Sequence, residues 1–255
     1  MNLGLESKKA LVVAASSGLG LACAQALVRE GAQVRICSRD RERIRKAASS
    51  LGPDVIPYTA DISKTAQVKR LAEEVGGIDL LVTNAGGPPA GDFADLDHEP
   101  WEQGIQGVLT SVLELCRCFL PGMAERGFGR VVMVTSVSAH QPLDGLVVSN
   151  TVRAGLLGLV RSLSREYGSR GVLVNAVLPG FTATERLLEL AEERAAKTGS
   201  SEEEIRRSWE EEIPLGRIAE PRELGEVVAF LCSERASYIT GTALPVDGGY
   251  SRGLP

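Results

Sequence analysis

The stretch from residue 10 to residue 22, Ala-Leu-Val-Val-Ala-Ala-Ser-Ser-Gly-Leu-Gly-Leu-Ala, constrains the fold of this chain more than any other. A short apolar run fit for a strand leads directly into Ser16-Ser17-Gly18-Leu19-Gly20, and an apolar helix pattern follows without a spacer. Glycine at 18 and 20 lets backbone approach a ligand and lets the helix pack closely on a sheet. A turn that opens a helix also leaves the first N–H groups free, and these suit a pyrophosphate. Two glycines alone carry little weight; the strand–turn–helix order around them supplies it.

The same alternation continues to the C-terminus. Apolar runs at 10–14, 33–37, 55–59, 80–83, 130–135, 172–177 and 243–246 read as strands. Helix-period segments lie at 19–30, 41–50, 65–75, 107–125, 150–167 and 221–232, the last opening on Pro221, where a missing N–H costs nothing. Short strands separated by helices, with right-handed crossovers, give a parallel sheet covered on both faces. The expected fold is α/β: a doubly wound, Rossmann-type three-layer sandwich with a seven-stranded parallel sheet. No internal repeat or low-complexity linker interrupts the 255 residues, so 1–255 reads as a single domain. One segment departs from the alternation. From about 183 to 212 the chain is rich in Glu, Arg, Ala and Leu, broken at Gly199-Ser200-Ser201, and reads as two helices. They are either a surface pair or a mobile lid over the carboxyl edge of the sheet.

Charge excludes some partners. The net charge of −5 is spread over short runs, which gives no footprint for nucleic acid. The start of the chain has no signal-peptide core, and no uninterrupted apolar run approaches ~18 residues, so no membrane association and a cytoplasmic location are expected. Five cysteines at 23, 37, 116, 118 and 232 show no disulfide frame and read as buried reduced thiols. With only His98 and His140 present, no metal site is expected.

Further motifs occupy the expected strand ends: Asp61-Ile62, Asn84-Ala85-Gly86, and Pro179-Gly180 followed by Thr182 and Thr184. Later come Ile213-Pro214-Leu215-Gly216-Arg217, Tyr238-Ile239-Thr240-Gly241 and Val246-Asp247-Gly248-Gly249. Over roughly 8–250 the chain resembles the short-chain dehydrogenase/reductase family, in particular its 3-oxoacyl-carrier-protein reductase branch. The resemblance implies a nicotinamide dinucleotide on the turn at 16–20, adenine at Asp61 and Ile62, and a steadying role for Asn84 with Ala85 and Gly86. It implies a nicotinamide amide held by Pro179, Gly180, Thr182 and Thr184. It also places Val13 and Ala14 where the family has threonine and glycine. Alanine at 14 either costs on the order of 1–2 kcal/mol, if φ is positive, or crowds the nucleotide, if φ is negative.

The second strand ends Cys37-Ser38-Arg39. NAD readers place an acid here for the ribose 2′-hydroxyl, and NADP readers an arginine for the 2′-phosphate. Ser38 and Arg39 therefore favour NADP over NAD, with Asp40 read as a helix N-cap.

Family members reduce carbonyls with an Asn, a Ser, a Tyr and a Lys. The resemblance puts the Ser at Ser136, the Tyr at Ser149, the Lys at Arg153 and the Asn at Val108. Arg153 keeps a charge for ribose hydroxyls, but its pKa above ~12 excludes proton shuttling. Ser149 is a far weaker acid than a phenol near ~10. A replacement proton donor is open at His140, which Asp144 could orient, against the plain reading of both as loop residues. The tyrosines at 58, 167, 238 and 250 match no position expected near the nicotinamide.

Two functions remain open. One is an NADP-dependent oxidoreductase acting on a small carbonyl or acyl-thioester substrate, with a non-standard active site. The other is a dinucleotide-binding protein without turnover, a sensor or a non-catalytic partner subunit. The resemblance further implies a homotetramer through the helices near 107–125 and 150–167. Val112, Leu113, Leu156 and Leu159 there extend beyond one apolar stripe.

Overall fold

The computed structural model describes residues 2–253 and forms the seven-stranded parallel sheet. Its first half alternates β1 (Lys9–Val13), α1 (Gly18–Arg29), β2 (Gln33–Ser38), α2 (Arg41–Leu51), β3 (Ile56–Thr59), α3 (Thr65–Val75) and β4 (Leu80–Thr83). After β4 come α4 (His98–Gly104), α5 (Ser111–Glu125), β5 (Gly129–Val134), α6 (Val147–Tyr167) and β6 (Val172–Pro179). Then follow α7 (Glu185–Thr198), α8 (Glu202–Glu212), α9 (Pro221–Cys232) and β7 (Ala243–Val246). The strand order is β3-β2-β1-β4-β5-β6-β7. It reverses direction between β1 and β4, so a crevice opens at their carboxyl ends.

The strands are apolar because both faces are covered. Leu11 and Val13 enter one core with α3, α5 and α6, while Ala10 and Val12 enter the other with α1, α2 and α9. Leu11 is fully buried, and truncating such a leucine to alanine costs about 2–5 kcal/mol. The helix of the phosphate turn is fixed from behind: a Cβ on Gly225 of α9 would lie 2.5 Å from the Ala22 carbonyl oxygen of α1. Only glycine lets those helices approach so closely.

Sequence and structure differ most between β4 and β5. A helix expected at 107–125 instead begins at His98, passes through a π-helical turn at Ile105–Thr110, and continues as α5. The wider turn breaks the 3.6-residue register that sequence periodicity tracks. The run His98–Glu125 is long and apolar enough by composition to cross a bilayer, but half of its most apolar window is buried inside the protein. Val112, Leu115, Phe119 and Met123 lie in the core.

The 183–212 segment forms α7 and α8, joined at Gly199, whose φ of 72° is left-handed. Ser201 and Glu204 start α8 with reciprocal capping bonds. The two helices share a small core of Leu187, Ala191, Ala195, Ile205, Trp209 and Ile218. All five thiols are free, and only Cys118 is less than fully buried. Burial pushes Cys37, Cys116 and Cys232 up to about 12, so they are neutral at physiological pH. No group of side chains fit to hold a metal ion occurs among the described residues.

Candidate active site

A cleft of about 1510 Å³ runs along the carboxyl ends of the strands. At one end it is floored by Ala14, Ser16, Ser17, Gly18 and Leu19. Gly18 has φ +55° and Ala14 has φ +50°. Of the two costs that alanine at 14 could carry, the structure therefore shows the backbone one. Gly20 does not line the cleft; it lies beneath the turn, where a Cβ would overlap the Ala14 carbonyl oxygen. That carbonyl accepts from Asn84 Nδ2 at 3.3 Å, which ties β4 to the turn. Ser17 makes no side-chain cap to α1, so the helix presents its first N–H groups uncapped beside the cleft.

Ser38 and Arg39 line the same end. The Ser38 hydroxyl donates to the Asp40 carbonyl at 3.1 Å. Arg39 is exposed, with no hydrogen-bond or ion-pair partner among the described residues. Asp40 caps α2, accepting from the backbone N–H groups of Glu42 and Arg43, both at 2.9 Å. Asp61 and Ile62 form the next stretch of wall, with Asp61 accepting from Ser63 N–H and O–H at 3.0 and 2.7 Å. Ala85, Gly86, Pro179, Gly180, Thr182 and Thr184 continue the lining. Thr182 donates to the Gly180 carbonyl, and Thr184 caps α7 by accepting from Leu187 N–H.

Ser136, Ser149 and Arg153 all line this cleft. Ser136 lies two residues past β5, at the start of the 3-10 turn Val137–Ala139, and its hydroxyl oxygen accepts from Ser138 N–H at 3.1 Å. Ser149 and Arg153 lie one turn apart on α6. Arg153 Nε donates to Ser149 Oγ at 3.2 Å, and Nη1 donates to the Thr135 carbonyl at 2.8 Å. Ser138 and Ser149 hydroxyls are 3.3 Å apart. Burial, with the like charge of Arg186, pulls the Arg153 guanidinium down to about 10, which leaves it charged at neutral pH. Val108, buried in the π-helical turn, also lines the cleft.

His140 is not part of this cluster. It is exposed at the end of a short 3-10 turn, Val137–Ala139, and does not line the cleft, although Asp144 does. The turn carries Gln141 and Leu143 inward instead.

Sequence reasoning overlooked four residues that do line it. Tyr250 is buried edge-on against Phe181 at 5.1 Å, because left-handed turns at Gly248 and Gly249 fold the chain back. That double glycine was the available signal. Burial raises the Tyr250 phenol above its ordinary value, so it is a poorer acid than a free tyrosine. Trp209 stacks on Phe181 at 4.9 Å. Arg43 and Arg186 enter from α2 and α7.

This arrangement matches known proteins throughout its length. A family model described as enoyl-(acyl carrier protein) reductase matches residues 13–251. The 3-oxoacyl-(acyl-carrier-protein) reductase of Vibrio cholerae is 34% identical over 251 residues, covering 97% of this chain and 98% of that one. The chain belongs to the short-chain dehydrogenase/reductase family. Human dehydrogenase/reductase SDR family member 4 is 33% identical over 255 residues, covering 96% of this chain and 88% of that protein. Among solved structures, L-sorbose reductase from Gluconobacter frateurii, complexed with NADPH and L-sorbose, superposes with TM-score 0.94 at 32% identity over the whole of both chains. The actinorhodin polyketide ketoreductase with NADPH gives 0.93 at 32% identity, covering 97% of this chain and 98% of that one. As a short-chain dehydrogenase/reductase, the chain is a member of an oxidoreductase family with the doubly wound sheet read from its sequence.

Proposed function

We propose that this chain is an NADP(H)-dependent oxidoreductase acting on the carbonyl or hydroxyl group of a small molecule, with a non-standard active site. One observation carries the reading: a single cleft joins the uncapped start of α1 and the unpaired Arg39 to the Ser136–Ser149–Arg153 cluster. The first pair fits the phosphates of the dinucleotide, and the exposed backbone at Gly86, where a Cβ would meet nothing within 4 Å, leaves room along the wall. Relatives in complex with NADPH support the same cofactor.

When bound, the nicotinamide supplies a hydride. The chain's own residues then act on the oxygen of the substrate. Ser136 accepts from Ser138 N–H through one lone pair, which leaves its O–H free to donate to a carbonyl oxygen. Ser149 holds a proton at Oγ, and the hydrogen bond from Arg153 Nε stabilises charge left on that oxygen. Arg153 orients and stabilises but keeps its own proton. The pair α7–α8 would serve as a lid that keeps water out.

A second reading, a dinucleotide-binding protein without turnover, rests on Ser149 being short, buried and already bonded to Ser138 and Arg153. Steady-state NADPH oxidation against a panel of oxoacyl thioesters and small ketones separates the two. Saturable oxidation supports the enzyme, and tight NADPH binding with none supports the sensor.

We further propose a homotetramer working in the cytoplasm, with no nucleic-acid or membrane partner. Val112 and Leu156 are covered by the sheet itself. Leu113 and Leu159 remain half open, and Tyr238 is fully exposed, so these support subunit contacts. Sedimentation of the protein at the mass of four chains is the expected result.

A further inference from the structure

The interior of this protein is built mainly from aliphatic side chains. Its largest fully buried ones are all leucine, isoleucine or methionine, and the whole sequence holds two tryptophans, four tyrosines and five phenylalanines. One of each meets in the cleft. Phe181, next to Gly180 on the loop after β6, stacks on Trp209 of α8 with ring centres 4.9 Å apart and planes 15° apart. Tyr250 stands edge-on to the same Phe181 ring, at 5.1 Å and 81°. Three distant parts of the chain thus bring their rings to one wall, which Leu187 and Leu190 of α7 extend. The charged groups that face the Tyr250 phenol are Glu212, Arg252, Arg194 and Asp144, and none of them is assigned to the dinucleotide. At about 1510 Å³ the cleft exceeds the ~300–1,000 Å³ of an ordinary small-molecule site, which leaves room for a second body beside the cofactor.

A wall that served packing alone would leave no donor behind, and here two remain. Trp209 is 3% exposed. Of the sealed side-chain atoms without a partner among the described residues, Trp209 Nε1 and Ser251 Oγ, only the first belongs to a residue lining the cleft. A sealed and unmet donor is costly and calls for a partner that the chain itself does not supply. The Tyr250 hydroxyl also has no hydrogen-bond partner among the described residues, and it is not sealed.

Resting on the oxidoreductase reading above, we infer that Phe181, Trp209 and Tyr250 form a ring subsite for the substrate, and that the substrate is a ketone or alcohol carrying a flat aromatic ring with an oxygen substituent. A ring set against this wall gains offset or edge-on contacts beyond those of its buried area, which an open acyl chain does not. An acyl chain would be served as well by the leucines and valines that form the rest of the interior. The substituent oxygen is the acceptor that the open Tyr250 hydroxyl is free to meet. The Trp209 N–H joins it once α8 shifts about the left-handed joint at Gly199.

The test is calorimetric titration of the NADP⁺-saturated protein with acetophenone, cyclohexyl methyl ketone and 2-octanone. These methyl ketones share one carbon count and carry a flat ring, a puckered ring and an open chain. Acetophenone is the least apolar of the three, so burial of apolar area alone ranks it last. It is expected instead to bind roughly three- to ten-fold more tightly than either, the scale of an aromatic pair. 4-Hydroxyacetophenone should bind more tightly again, by about three- to ten-fold, the net scale of one hydrogen bond. In Trp209→Leu the ring preference should fall to near unity. Trp209→Phe and Tyr250→Phe keep the rings, so each should keep the ring preference and lose part of the gain from the hydroxyl. The wild-type ranking stands whether or not a variant folds. A wild-type ranking by apolarity, no measurable binding of any of the three ketones, or a ring preference unchanged in Trp209→Leu overturns the inference. A hydroxyl that adds nothing overturns the polar contact. NADP⁺ affinity is measured in the preceding titration and NADPH oxidation in a separate assay, so a failure of the oxidoreductase reading registers there and not in the ranking of the ketones.

Discussion

Arg43 and Glu185 meet at 2.6 Å across the mouth of the nucleotide cleft, joining the first turn of α2 to the first turn of α7. The same Arg43 nitrogen lies 3.2 Å from Ser17 Oγ in the phosphate turn. In the proposed binding mode Glu185 sets a carboxylate beside the phosphates of the dinucleotide, and occupies a guanidinium that would otherwise face them. Glu185→Gln is expected to tighten NADPH binding by roughly two- to five-fold, the range for an exposed pair, with the gain shrinking as salt rises. Fluorescence titration with NADPH at two ionic strengths measures it. Weaker binding in the variant would assign Glu185 a supporting role instead.

Arg39 is exposed, has no partner among the described residues and directly follows β2, where the proposed binding mode puts the group that distinguishes the two dinucleotides. Arg39→Ala should cost NADP⁺ binding roughly 1.5–3 kcal/mol and leave NAD⁺ binding nearly unchanged, because only the former carries a 2′-phosphate. Calorimetry with both nucleotides checks this, and equal losses would remove Arg39 from cofactor choice.

Ala14 holds φ +50° against the preference of an L side chain. Ala14→Gly relieves a penalty of ~1–2 kcal/mol, offset by ~0.4–1 kcal/mol of added freedom in the unfolded chain. A net gain of about 1 kcal/mol raises the melting temperature by about 2–4 °C for a chain of this size. A lower melting temperature would show that the turn is already relaxed around alanine.

Ser149 and Arg153 occupy successive turns of α6 and already touch. Ser149→Tyr with Arg153→Lys places a phenol and a movable ammonium on one helix face. Reduction of a generic diketone is expected to rise in the double variant well beyond either single one, yet to stay limited by Val108. Steady-state rates of the parent, both singles and the double decide it. A folded, NADPH-binding double variant without gain would mean the pocket differs beyond these two side chains.

The sheet was legible because strands buried on both faces must be apolar throughout: 172–177 was read from its valines, and β6 is buried over all eight residues. The Asp40 cap and the Gly199 break were legible because each residue type has a local backbone reason to be there. Local patterns are blind to what closes a cleft from afar. Tyr250 reaches the site through a reversal at Gly248 and Gly249, Arg43 through a salt bridge to a helix 142 residues later. His140 looked suitable by chemistry and sequence distance, but the 3-10 turn at Val137–Ala139 rotates it to solvent. The charge on Arg153 was visible in the sequence; that no acid compensates it was not.

Hydride transfer itself is tested most directly with NADPH deuterated at its transferable position. The protein, loaded with the labelled cofactor in single turnover, is mixed with a panel of oxo acids and ketones, and the products are weighed by mass spectrometry. The expected result is a hydroxy product one deuterium heavier, formed in step with cofactor oxidation. Label retained on bound cofactor across the panel, with every carbonyl recovered unchanged, would contradict the oxidoreductase reading and leave a nucleotide-binding protein.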